Sequence, residues 1–310
     1  MSKYNKYKKN PSMLEQFRSF CYQNKTTDLD SAIKYFSVFG GMSWGVDMQM
    51  PIKNLIEHKI FDNYRYIHAD ITQITGSDRI SHALLSGVAT GDRRVHSALK
   101  KARISRADGE YAMEDLFDNG FIEAEYSLET PPDSTDKIDE KLNFTAPFKR
   151  FWFSFVSPFF KTIRDGDYKE AQERFENRES EFAELVFLKL GQEVIKNSFK
   201  DDPITEIGSY WDRDISIDIL AKTKSGKVVA GITKYSNAKA KKSELTKLKE
   251  QCDRAELNPD ICVVISKNGF TNELKSSKSA ELKLLSLKNY KCLIEDLSER
   301  DFIECEGKRY

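Results

Sequence analysis

This chain has no run of 18 or more apolar residues, and its N-terminus lacks the apolar stretch of a signal peptide. A membrane span and a secretory leader are therefore not expected, and the chain reads as cytoplasmic with no membrane partner. Five cysteines (Cys21, Cys252, Cys262, Cys292 and Cys305) fall without CxxC spacing, so neither a zinc site nor a disulfide framework is predicted. Four histidines (His58, His68, His82 and His96) also lack ligand spacing. Neither GxxxxGK[ST] nor GxGxxG occurs, which removes ATP and dinucleotides from the expected ligands. An excess of one charge is missing too. Lys plus Arg number 49 and Asp plus Glu number 49, which argues against an indiscriminate polyanion binder and leaves room for local basic patches.

What remains is a globular composition. Hydrophobic residues make up 39% and charged residues 32% of 310, enough for two domains and a substantial core. The pattern divides into a helical N-terminal region (1–76), a winged-helix-like region (77–150), an aromatic helical linker (151–177) and an α/β region (178–310). Met1–Lys9 is a basic tail with two tyrosines, suited to solubility and secondarily to single-stranded nucleic acid. Residues 13–39 have helical character, and Gly40-Gly41 ends it.

Between 77 and 150 the spacing predicts helices over Ser77–Gly87, Arg93–Ala102 and Ser105–Asp118. Wing strands follow at Phe121–Tyr126 and Lys141–Phe144, joined by a polar loop with Pro131-Pro132. A winged helix suggests DNA, with its third helix in the major groove. That helix carries Asp108, Glu110, Glu114, Asp115 and Asp118 against Arg106, so phosphates would be repelled. The basic groups Arg93, Arg94, Lys100, Lys101 and Arg103 lie on and around the second helix. They are candidates for backbone contact, with a solvated face as the plainer alternative. The aromatic run Pro147–Phe160 is expected to pack the regions together, and could also form a homodimer contact.

The chemistry concentrates further on. Ser216-Ile-Asp-Ile-Leu-Ala-Lys-Thr223 and Lys227-Val-Val-Ala-Gly-Ile-Thr-Lys-Tyr235 flank Lys224-Ser225-Gly226, a three-residue hairpin loop with glycine at its left-handed position. Pairing across that loop places Asp218 opposite Ile232 and Ser216 opposite Lys234, so Asp218, Ile232 and Lys234 share a face. Thr233 is expected on the other face. An apolar helical stripe (Phe182, Leu185, Val186, Leu190, Val194) precedes the hairpin and carries Glu181 and Glu184. Ser243 can cap a helix through Leu245, Leu248 and Cys252, and Asp260–Ser266 and Leu282–Leu287 read as strands. The resulting order implies a mixed sheet with helices on both faces.

The hairpin resembles the strand pair of the PD-(D/E)XK nuclease superfamily, in which an Asp on one strand and Glu-x-Lys on the next hold a divalent ion beside the scissile phosphate. Phe151-Trp-Phe-Ser-Phe-Val-Ser-Pro158, Arg174-Phe-Glu-Asn-Arg178, Ile207-Gly-Ser-Tyr-Trp211 and Lys234-Tyr-Ser-Asn-Ala238 narrow the resemblance. They are similar to the C-terminal region of archaeal-type ATPases, a winged helix followed by a nuclease-like domain of unassigned role. Phe39-Gly-Gly-Met-Ser-Trp44 resembles the end of the ATPase module, whose P-loop does not occur here. The resemblance spans roughly residues 77–290. It implies an α+β or α/β fold: a helical and winged-helix region, then a restriction-endonuclease-like α/β/α domain.

The resemblance also implies a site of Asp218 and Lys234, with Glu184 or Glu181 as the helical carboxylate, and a metal held by Asp218 and Glu184. One position departs from it. The family's second strand often reads Gly-Glu-Cys-Lys-Tyr, whereas this chain has Gly231-Ile-Thr-Lys-Tyr235. Isoleucine offers Mg²⁺ or Mn²⁺ no oxygen. The expected function is therefore a nucleic-acid-associated protein with a degenerate, non-catalytic site, in which Lys239, Lys241 and Lys242 join Lys234 in holding phosphates. A working metal-dependent DNA endonuclease and a protein-interaction scaffold are the alternatives. No cofactor is expected, except Mg²⁺ or Mn²⁺ if the site is active.

Overall fold

The computed structural model describes residues 10–26, 28–76, 78–129 and 140–304. The basic tail, the Pro131-Pro132 loop and Cys305 lie outside the described residues. The helical stretch 13–39 is two helices, α1 (Met13–Gln23) and α2 (Leu29–Phe39). Asn24 ends the first, and the Asp28 carboxylate restarts the chain by accepting from the Ser31 amide, as an N-cap does. Helices α3 (Ile52–Ile56) and α4 (Tyr64–Thr75) complete the N-terminal group.

The predicted three helices follow as α5 (Arg79–Thr90), α6 (Val95–Ala102) and α7 (Arg106–Asp118), with Asp78 and Ser105 capping the first and third. Helices α5 and α6 approach closely because Gly87 has no Cβ; one built there would sit 2.7 Å from the Ala98 carbonyl oxygen. Strands β1 (Ile122–Tyr126) and β2 (Glu140–Phe144) pair antiparallel, Ile122 opposite Phe144.

The aromatic run forms α8 (Pro147–Phe151) and then a π-helical turn, Trp152–Val156. Its rings are consumed inside the chain: Phe151, Trp152, Phe153 and Phe155 are fully buried. Trp152 stacks on Tyr64 at 5.8 Å, Phe153 meets Phe121 at 5.8 Å, and Phe155 meets Phe175 and Phe182 at 5.3 and 4.7 Å. The run thus ties together the N-terminal helices, the β1–β2 pair and the long helix that follows, and leaves these rings unavailable for a homodimer contact. Short α9 (Phe160–Arg164) leads into α10 (Lys169–Ser198), 30 residues long.

Strands β3 (Ile204–Trp211), β4 (Ser216–Thr223) and β5 (Val228–Lys234) come next, then α11 (Lys242–Arg254), β6 (Ile261–Ser266), α12 (Asn272–Ser276) and β7 (Leu282–Ser286). The sheet runs β3-β4-β5-β6-β7, antiparallel through β5 and parallel beyond it. It is therefore mixed, as predicted. Alternation along the strands sends Ile219, Ala221, Val229, Val263 and Ile265 to the core shared with α10, and Leu220, Ala230, Cys262 and Val264 to the core under α11. The first of these cores is continuous from Phe17 through Trp152 to Leu285.

Helix α11 begins one residue before Ser243, so Ser243 does not cap it. Glu244 Oε2 instead reaches back to accept from the Lys241 amide at 2.7 Å. The outer edge of β3 is covered by the chain leaving β1: Leu128 donates its amide to Ser209, and Ser127 Oγ accepts from the Trp211 amide at 2.7 Å. Covering an edge in this way removes a template for strand addition.

Candidate functional site

The β4–β5 hairpin has the predicted loop and register. The Thr223 amide donates to Lys227 O, Gly226 has φ +89°, and Ile219 pairs with Gly231. One further step along that register sets Asp218 opposite Ile232, but there the ladder stops. The Asp218 carboxylate takes the place of a backbone partner: Oδ2 accepts from the Thr233 amide at 2.8 Å and from Thr233 Oγ1 at 3.0 Å. Thr233 therefore serves Asp218 directly, against the expectation that it points away. Strand alternation alone missed this because β4 leaves β5 at this position, and a short hydroxyl can then reach across the gap.

The parting strands open a cleft of about 190 Å³, lined by Glu184, Ser216, Asp218, Gly231, Ile232, Thr233, Lys247 and Gln251. Of the two helical carboxylates, Glu184 lines it. Glu181, one turn earlier, is held by Arg178 at 2.7 Å and Arg150 at 3.3 Å. Burial pushes the Glu184 carboxyl upward in pKa, with the charges of Asp218 and Glu181 adding to it. Burial likewise raises Asp218, against the Thr233 hydrogen bonds and the attraction of Lys247 and Lys141. Two carboxyls that both resist ionisation in a common cleft form a poised site.

Lys234 is placed elsewhere. Its Nζ is ion-paired with Glu244 at the start of α11, both side chains about one-fifth exposed. Burial opposes ionisation of Glu244, yet the Lys234 hydrogen bond holds its carboxyl below the usual range. The cation that faces the cleft is Lys247, one turn further along α11 and unforeseen from the sequence. The spacing Glu244-x-x-Lys247 on a helix starting beside the end of β5 was the available signal.

The basic candidates fall into three groups. Lys239, Lys241 and Lys242 are exposed between β5 and the first turn of α11, with Lys242 3.9 Å from Glu273. Lys100, Lys101 and Arg103 are exposed at the end of α6. Arg93 and Arg94 point inward: Arg93 pairs with Glu125 at 3.3 Å, and Arg94 donates to Asp212 O at 2.7 Å. Helix α7 presents Asp108, Glu114, Asp115 and Asp118 to solvent, an acidic surface that phosphates would avoid.

Residues 152–246 match the family DUF234, described as archaea bacterial proteins of unknown function. The match takes in α10 and the hairpin, and with them Glu184, Asp218, Ile232 and Lys234, and stops one residue short of Lys247. No curated protein and no solved structure matches the chain.

The cleft sits beside a second polar cluster. Lys189 on α10 reaches Glu125 on β1 at 2.5 Å, and Asn143 donates to the same carboxylate at 2.8 Å. Burial works against the Glu125 anion, but Lys189 and Arg93 outweigh it and hold the carboxyl down to about 2. Lys141 on β2 stands 3.9 Å over the Trp211 ring, and burial together with the charge of Arg93 brings its pKa down to about 8. These contacts fix the β1–β2 pair against α10 and β3, and leave Lys141 near enough to attract Asp218.

Proposed function

We propose that the chain is a nucleic-acid-associated protein carrying a degenerate PD-(D/E)XK nuclease-like domain, related to the C-terminal region of archaeal-type ATPases. One observation carries this reading. Asp218, Glu184 and Lys247 share a small cleft at the end of a mixed sheet, with Ile232 where a further carboxylate would complete a metal site. Lys247 supplies charge to a phosphate oxygen, Ser216 and Gln251 supply polar neighbours, and Asp218 is held in place by Thr233.

The residues fit a hard divalent ion in a limited way. Mg²⁺ commonly binds through one or two carboxylates plus phosphate and water, and Asp218 with Glu184 meets that minimum. Among the described residues no group of three or more His, Cys, Asp or Glu could hold a metal. When bound, such an ion would neutralise charge on a phosphate. Both raised carboxyl pKa values would be relieved by it. Binding without efficient cleavage is therefore the preferred reading.

That Glu184 rather than Glu181 faces Asp218 favours a second reading, residual metal-dependent DNA cleavage. Filter binding of duplex, junction and single-stranded DNA across a salt series tests the first reading, and salt-sensitive retention is the expected result. Loss of retention of all three at low salt would rule it out. Nicking of supercoiled plasmid with Mg²⁺ or Mn²⁺ tests the second. The expected result is no cleavage by the wild type; cleavage abolished by Asp218→Ala would establish the enzyme instead.

A further inference from the structure

Four cations converge where α6 meets α10, outside the cleft. Arg150 and Arg178 share one carboxylate, Glu181, at 3.3 and 2.7 Å. Arg150 is nearly buried, its guanidinium 3.9 Å from the Phe182 ring, and its Nε has no hydrogen-bond partner among the described residues. Lys101 donates to Thr90 O at 2.9 Å and feels the repulsion of both Arg178 and Arg174. Lys101 and Arg174 are exposed, and among the described residues neither is in an ion pair.

Glu181 is ion-paired with Arg150 and Arg178, and together with Asp92 it attracts Lys101. A protein rarely crowds like charges without compensation, because each close pair costs electrostatic energy that an arriving anion would recover. The arrangement is also split between elements: α6 supplies Lys101, α8 supplies Arg150, and α10 supplies Arg174 and Arg178. Planar guanidinium forks beside an ammonium suit phosphate oxygens.

We infer that the α6–α10 seam is an anion site for the phosphate backbone of a nucleic-acid strand that continues to the Asp218–Glu184 cleft. The inference rests on the nucleic-acid reading above and adds the path of the strand. Arg178 and Glu184 lie six residues apart on α10, about 9 Å along its axis at 1.5 Å per residue. Those six residues also turn α10 by about 600°, so seam and cleft lie roughly a third of a turn apart around it, a span that a few nucleotides of a strand crossing the helix can cover. Glu181, between them, acts on Glu184 and is itself neutralised by the seam arginines, so that an approaching phosphate does not meet its full charge. The strand would then run over α6 and α10 and avoid acidic α7.

The test is fluorescence anisotropy with labelled single-stranded and duplex DNA over a salt series. The double charge reversal K101E/R174E should weaken binding at least tenfold and reduce the salt slope by about two. The remote pair K275E/K278E should leave both unchanged. Should the reversal fail to give a folded melting profile, K101Q/R174Q serves in its place, with a smaller loss of affinity and a similar loss of slope. Loss with only one DNA form identifies which form follows the seam and supports the path. Wild-type binding that K101E/R174E and K101Q/R174Q leave intact would overturn the seam alone. Absence of wild-type binding to either DNA would overturn the nucleic-acid reading together with it.

Discussion

Replacing Glu125 by Ala should destabilise the protein by about 3–5 kcal/mol, the usual cost of removing one partner from a buried ion pair. The side chains of Glu125, Lys189 and Arg93 are 13%, 18% and 16% exposed, so the two cations could not recover their hydration without local unfolding. The size of the effect can be checked through pH. Depression of the Glu125 carboxyl from 4.5 to about 2 corresponds to roughly 3 kcal/mol at about 1.36 kcal/mol per unit.

The sign follows from the direction of the shift. A carboxyl depressed in the folded state stabilises it fully above the unfolded pKa, and that stabilisation is lost as pH falls toward the folded one. The contribution should be complete above about pH 5, roughly half gone by pH 3, and absent near pH 1. Urea melts of wild type and Glu125→Gln at pH 7 and pH 3 measure it. The gap between the proteins should narrow on acidification, and a pH-independent gap would remove the ion-pair account. Because this cluster fixes the β1–β2 pair against α10, Glu125→Ala should also loosen that pair.

Ile232→Glu should convert the cleft into a tight divalent-ion site. Ile232 lines it, and the register places the new carboxylate opposite Asp218. Without metal, a third acid beside two whose pKa is already raised should cost stability. Losing a half-buried isoleucine adds about 1–3 kcal/mol that no ion restores. Carboxyls raised in the folded state destabilise it increasingly as pH climbs through the unfolded and then the folded value. The metal-free deficit should therefore grow from pH 4 to pH 7. Millimolar Mn²⁺ should return part of it, since an ion at a hundred times its Kd stabilises by about 2.7 kcal/mol. Thermal melts with and without Mn²⁺ report the metal-dependent part. An equal response in variant and wild type would mean that positions 218 and 232 do not form one site.

Much of this arrangement was legible from local chemistry. Gly226 and the two flanking apolar runs specify the hairpin, and its length alone sets Asp218 against position 232. Asp78 and Ser105 announce two helix starts, and alternating apolar positions in β4 to β6 announce helices on both faces. What escaped depends on distance in space. Strand alternation points Lys234 to the face of Asp218 and the family resemblance gives it a site role, yet α11 brings Glu244 to the same end of β5 and takes the ammonium away. Lys247 entered the cleft through that same helix. Glu181 and Glu184 were equivalent on the helix stripe, and Arg150, 31 residues upstream of Glu181, separates them. The split of 13–39 into α1 and α2 was available in principle, since Asp28 followed by the Ser31 amide is an N-cap.

The bond from the Thr233 amide to Asp218 Oδ2 has a spectroscopic consequence. A backbone proton held by a titrating carboxylate changes resonance frequency as that carboxylate gains or loses its charge. The Thr233 amide should therefore act as a resident reporter, visible in a nitrogen-labelled sample without any foreign probe. Its chemical shift should follow the ionisation of Asp218 along a pH series and move again when a cation or a phosphate occupies the cleft. The cleft would thus announce its own occupancy before any substrate has been identified.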